Sequence, residues 1–264
     1  MSEDRDFTFR GYWGSELMRP FVEYSKNGLH YCIYCGSIAD TREHVPSKVF
    51  LNKPLPGDLP TLPACQKCNN GFSSDELYTN TYIECVKGLK ENNNSEVIEI
   101  QPLDRKEVRE AKNAAKQDCE KGIYAKDERI EHILIKLAKG HIVYELFECY
   151  NLDSFPVASI SVNYVLKCSV DNKTWASLET IEPIDNEVFP EIGSRAFRNM
   201  YVLDVRYNSP DDSNGFVEHH LFMDWTDIQD GVYRYITLYN GDEIIVKMVI
   251  RDYLYAEATF KRQG

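Results

Sequence analysis

The chain of 264 residues has no apolar run long enough to cross a bilayer. An apolar leader is missing as well. Residues 1–20 are interspersed with Asp, Glu and Arg, so the expectation is a cytoplasmic protein with no membrane partner. Positive charge is in short supply, with 30 Lys and Arg against 42 Asp and Glu and a formal net charge of -12. That balance argues against a protein that coats nucleic acid by bulk electrostatics, which needs a basic surface to displace counterions from phosphates. Any nucleic-acid contact has to be local. Internal repeats and low-complexity tracts are also absent. What the chain does have is 43% hydrophobic residues, enough for one large core or two modest ones.

Eight cysteines in such a chain point to metal thiolates and reduced thiols rather than disulfides. Four of them form two Cys-x-x-Cys pairs, Cys32-Ile33-Tyr34-Cys35 and Cys65-Gln66-Lys67-Cys68, while Cys85, Cys119, Cys149 and Cys168 stand singly. The two pairs offer the ligand set and spacing of a tetrahedral structural Zn2+ site. The segment they bracket holds Pro46, Pro54, Pro56, Pro60 and Pro63 with Gly36 and Gly57, so long regular elements are unexpected there. A Pro-rich loop with few apolar residues cannot hold itself together, and metal binding can supply the folding energy it lacks. Zinc alone leaves the adjacent Glu43-His44 unexplained, as it does the Asn69-Asn70 that directly follows the last cysteine.

Ser73 followed by Glu76 has the spacing of a capping box and predicts a helix over about 74–90. The polar residues 90–96 read as an exposed connector. Helix formers crowd 104–122, and Ile130, Ile133, Leu134, Leu137 and Ala138 fall at helical spacing within 128–150. From about Phe155 the texture changes to β-branched and aromatic runs. Asn240-Gly241 between two of these runs predicts a hairpin. The fold class expected is α+β: a packing arm over 1–28, a zinc-braced module over 29–90, then helices and a mainly antiparallel β region over 91–264 for targeting or assembly. His219-His220 falls in a strand, where neighbours face opposite ways and cannot chelate together. His132 and His141 fall on or near a helix with no carboxylate or Cys partner in view. Tyr233, Tyr235, Tyr239, Tyr253 and Tyr255 offer either a base-stacking platform or, as aromatic-rich strands more often do, core and cross-strand packing.

The order Cys32-x-x-Cys35, Glu43-His44-Val45-Pro46, Cys65-x-x-Cys68-Asn69 resembles the zinc-containing branch of the HNH endonucleases, and within it the endonuclease VII subgroup. The resemblance covers residues 29–89, about a quarter of the chain. It implies a ββα-metal, treble-clef-like module whose Cys32, Cys35, Cys65 and Cys68 bind structural Zn2+. It also implies that Glu43 and Asn69 hold one catalytic Mg2+ or Mn2+, and that His44 is the general base of phosphodiester hydrolysis, with DNA the favoured substrate. The residue types suit that chemistry. A neutral imidazole can take a proton from water near physiological pH, and a hard cation with oxygen ligands can neutralise the scissile phosphate. Arg42, Lys48 and Lys67 are the expected phosphate contacts.

Glu43 stands where the family more often has Asp or His, and no residue in "GDLPTLPAC" matches the family's middle Asn, leaving Asp58 or Thr61 to take its bracing role. Adjacent strand residues point to opposite sides, so Glu43 and His44 need a bend or bulge to converge, for which Pro46 supplies a break. Two rival readings stand beside the enzyme. One is a non-catalytic zinc-binding module that presents its loop to nucleic acid or protein. The other is a nuclease toxin or phage-defence effector controlled by a partner, with the C-terminal region recruiting a protein or a second copy.

Overall fold

A computed structural model describes residues 5–11, 31–91, 105–146, 157–181, 190, 194–207 and 216–262. The elements in chain order are β1 (Arg5–Gly11), β2 (Thr41–His44), β3 (Thr61–Ala64), α1 (Gln66–Glu91), α2 (Lys106–Lys121), α3 (Glu128–Glu145), β4 (Val157–Leu166), α4 (Asn172–Glu179), β5 (Met200–Tyr207), β6 (Phe216–Met223), β7 (Thr226–Gln229), β8 (Tyr233–Asn240), β9 (Glu243–Ile250) and β10 (Leu254–Arg262). The fold mixes helix with antiparallel sheet. Five strands run in the order β4-β10-β9-β8-β7, three in the order β1-β5-β6, and β2-β3 form a separate hairpin. Within the arm expected over 1–28, residues 5–11 add a strand to β5; the rest of it, the 92–96 part of the connector and Cys149 lie outside the described residues.

Local chemistry accounts for most boundaries. Gly122 closes α2 in the left-handed region with φ 66°, where a side chain would be strained. Asp127 caps α3 by accepting from the Arg129 amide, and α3 ends at Glu145, short of the expected 150. Gly241 (φ 53°) turns β8 into β9, with Asn240 opposite Glu243. The long β-branched run after it is broken at Arg251 and Asp252, both at positive φ, so that β10 folds back on β9.

Arg251 is unusual in combining a left-handed backbone with burial. Its Nε lies 2.8 Å from Glu84 Oε1, its guanidinium bonds Asn80 and Asn52, and its carbonyl accepts from Lys87 Nζ. The turn is thereby riveted to α1 and to the loop after β2. Arg251→Ala leaves the Glu84 carboxylate without its partner, and removing one member of a buried pair is expected to cost about 3 kcal/mol in urea denaturation.

One continuous core runs from the Cys-rich segment into the C-terminal sheet. It joins Ile33, Val45, Phe50 and Leu62 to Leu134 and Ile142 of α3 and to Val246, Leu254 and Phe260 of the sheet. The tyrosines resolve toward packing: Tyr233, Tyr235, Tyr253 and Tyr255 are buried, and Tyr239 is partly buried against the core. His219 bonds Asp204 and His220 pairs with Glu218, so the two imidazoles do not act together. Among the described residues no helix is long and apolar enough to cross a membrane.

Candidate metal centre and the hairpin beside it

The first Cys pair sits in a tight turn closed by the Gly36 amide on the Cys32 carbonyl at 2.9 Å, with Gly36 at φ 73°. The second pair straddles the start of α1, where the Asn69 amide already reaches back to the Cys65 carbonyl at 3.0 Å. Ile33 N–H to Pro63 carbonyl, 3.2 Å, ties the first turn to β3. These contacts bring Cys32, Cys35, Cys65 and Cys68 together, with all four Sγ atoms within 4.8 Å of one another. Cys35 Sγ and Cys65 Sγ are 3.7 Å apart. Four sulfurs at Zn–S bond length on a tetrahedron stand about 3.8 Å apart, so the donor set and its size fit zinc.

The electrostatics of the thiols agree. Hydrogen bonds from Ser37 draw the Cys35 thiol down to about 6, whereas burial and the neighbouring sulfurs push Cys68 up and burial pushes Cys32 up. Without a cation the cluster cannot carry four negative charges. A divalent ion removes that conflict, and the four cysteines could hold it.

The segment between the first Cys pair and β2 accounts for where α1 starts. A helix from about Ser74 was expected, yet α1 begins at Gln66, eight residues earlier. Its first amide is satisfied by Asp40 Oδ1 at 2.7 Å, a carboxylate that directly precedes β2 and does not belong to the helix's own sequence. Ser73 is therefore mid-helix, its hydroxyl bonded to the Asn70 carbonyl, and Glu76 is released from capping.

The succession β2, β3, α1 sets out the hairpin-and-helix order, with Thr41 opposite Ala64 and His44 opposite Thr61. The register runs without a bulge, so the bend expected to bring Glu43 and His44 together does not occur within the strand. Arg42 is exposed, Glu43 is buried and His44 is half-buried, the alternation of a regular strand. Arg42 Nη1 bonds Thr61 Oγ1 at 3.4 Å, and Lys48, exposed in the short 3-10 turn after the hairpin strand, lies near enough to act on His44. Burial and the charges of Lys48 and Lys136 hold the His44 imidazole below its ordinary value, and thus neutral at physiological pH. Lys67 is exposed on the first turn of α1. Of the two proposed substitutes for a middle Asn, Thr61 faces His44 across the hairpin, while Asp58 is engaged by Arg195 at 2.8 Å. Among the described residues no hydrogen bond to the His44 ring is found.

Glu43 and Asn69 do not form an open pair. Glu43 Oε1 lies 3.0 Å from the ammonium of Lys136, which reaches in from α3 and also meets Glu76 Oε1 at 2.5 Å and Ser47 Oγ. Asn69 Nδ2 donates to Thr41 Oγ1 and to the Arg42 carbonyl, both at 3.3 Å, bracing α1 against β2. A divalent ion bound by Glu43 would have to displace the lysine, so the side chains as placed do not fit one.

Sequence reading missed Lys136, Glu76, Ser47 and Asp40. Lys136 carried no signal, because it sits among the apolar residues of α3 and its partners Glu76, Ser47 and Glu43 all lie 60 or more residues away. His132, for which no partner was in view, meets Asp75 Oδ2 at 3.2 Å. Close packing completes the joint: Gly140 of α3 comes so near the residue after β2 that a Cβ there would meet Val45 Cγ2 at 3.3 Å. Comparison with protein-family models, with curated proteins and with solved structures gives no match for this chain.

Proposed function

We propose that the chain is a zinc-braced endonuclease of HNH type that hydrolyses nucleic-acid phosphodiesters, with DNA the first substrate to test. One observation carries this reading. A neutral, half-buried His44 stands on the outward face of a hairpin held by the four-cysteine cluster, with Arg42 on the same face and Lys48 beside it.

In this reading zinc supplies structure, fixing the hairpin against α1. Arg42 and Lys48 receive the phosphate, giving a local basic spot on an acidic chain. His44 takes a proton from water as the water oxygen bonds to phosphorus. The bond from phosphorus to the departing oxygen then breaks, and that oxygen collects a proton from solvent. No step is routed through a cation at Glu43 and Asn69.

A second reading is favoured by specific observations, the inward turn of Glu43 and the lack of a hydrogen bond to the His44 ring among the described residues. It is a non-catalytic zinc module that offers Arg42 and Lys48 to nucleic acid. Nicking of supercoiled plasmid by zinc-loaded protein, with and without Mg2+ or Mn2+, separates the two. Cleavage is expected. Binding without cleavage under every ionic condition would establish the second reading instead.

A further inference from the structure

The side chain of Lys136 is 1% exposed, yet its ammonium is fully provided for. An ammonium has three N–H donors, and three acceptors surround this one: Glu43 of β2, Glu76 of α1 and Ser47 after the hairpin strand. The rings of Tyr34, between the first two cysteines, and of Phe72 stand 5.9 and 5.5 Å from Nζ, and they meet each other edge-on at 4.9 Å. Such faces favour a cation. Two carboxylates, a hydroxyl and two aromatic faces thus converge on one point, and every one of them comes from the Cys-rich segment or the helix it starts. Only the ammonium comes from α3.

We propose that the Lys136 ammonium is a built-in cation that takes, at Glu43, the place a divalent metal ion would otherwise hold. Lys136 is then a positioning residue. It fixes Glu43, and through β2 the neighbouring His44, with no metal at that point. Charge supports the assignment, since Glu43 and Glu76 so close together need a permanent positive partner in a site closed to solvent counterions. At Glu43 the geometry supports it too, because Oε1 lies 3.0 Å from Nζ, an ammonium distance and not the ~2.0–2.6 Å of a hard divalent ion. The proposal concerns occupancy of the triad and holds whether or not the chain cuts nucleic acid.

Removing the ammonium should uncover a cation site. Lys136→Met keeps an unbranched stem of similar length and leaves Glu43, Glu76 and Ser47 facing an empty point, an oxygen set suited to Mn2+. The test is Mn2+ binding by electron paramagnetic resonance on zinc-loaded protein, with zinc content and circular dichroism as fold checks. Wild type is expected to hold no Mn2+ that Glu43→Gln removes. Lys136→Met is expected to hold one Mn2+ per chain, lost again when Glu43→Gln is added. Should Lys136→Met unfold on its own, refolding upon Mn2+ addition is the expected behaviour. A wild-type Mn2+ site that depends on Glu43 would overturn the proposal. So would a Lys136→Met protein that is folded but takes up no Mn2+, or one that stays unfolded at millimolar Mn2+.

Discussion

Serine in place of Cys35 or Cys68 is expected to release the zinc and to lower the melting temperature by about 10 °C or more, several kcal/mol for a chain of this size. The four sulfurs are packed with little else: the cluster around them consists of Cys32, Ala64 and Cys65, flanked by Tyr34 and Cys68. The sulfurs themselves have few apolar neighbours to keep the two pairs together once a metal leaves. A separate module over 29–90, as expected from the sequence, would leave the C-terminal sheet intact after such a loss. The shared core changes that expectation, because Ile33 and Val45 pack into the same cluster as α3 and β10, and Lys136 joins α3 to β2. Amide protection should therefore fall in α3 as well as in β2 and β3. Zinc stoichiometry, thermal melting and hydrogen exchange on both variants check this. Near-native zinc content and melting in both would show that the cysteines do not share a structural ion. Chelation of wild-type protein should reproduce the serine phenotype.

His44→Ala is expected to keep zinc, fold and nucleic-acid affinity while losing roughly 10²-fold or more in cleavage rate, the usual scale for a positioned proton acceptor. Fold should be spared because the imidazole is only half-buried and no hydrogen bond to it is found among the described residues. The wild-type rate should also fall as pH drops. Burial and the nearby Lys48 and Lys136 charges disfavour the imidazolium, so the fall should be centred below the ordinary imidazole pKa of ~6.5. Above that limb the base is neutral and able to accept; beneath it the protonated ring cannot. The residual activity of His44→Ala should lack the limb. Lys48→Ala removes one of the charges that depress His44 and should shift the limb toward higher pH while weakening substrate binding. A His44→Ala protein that binds poorly yet cleaves whatever it binds at the wild-type rate would make the imidazole a phosphate contact, and the base would lie elsewhere.

Much of this was legible in one dimension because it depends on short-range chemistry. Two Cys-x-x-Cys pairs announce a metal cluster by spacing alone, since each pair must turn tightly enough to point two thiols the same way, and all four sulfurs do meet. Gly241 and Gly122 mark a hairpin and a helix end because their backbone angles are ones other residues resist. The β-branched and aromatic runs after Phe155, with Asn240-Gly241 between two of them, foretold antiparallel strands, and four of the tyrosines within them are in the core.

What the sequence could not decide is how the chemistry of Glu43 and His44 is divided. Adjacent residues in an unbulged strand face opposite ways, and only the register with β3 shows that no bulge intervenes. Pro46 suggested a break, but it lies beyond the paired residues and leaves the strand regular. The start of α1 escaped a local reading for a related reason: its first amide is capped by Asp40, a residue 26 positions earlier, just ahead of β2. Above all, a buried charge is specified by its partners. Lys136 looks in the sequence like one more solvated lysine on a helix, and it becomes the counter-ion of Glu43 and Glu76 only when α3 packs against β2 and α1. Spacing along the chain determined the thiol cluster, because its turns are local. The partner of Glu43 was decided by tertiary packing, because an ion pair between distant elements leaves no periodic trace and exists only where burial makes an unpaired charge too costly.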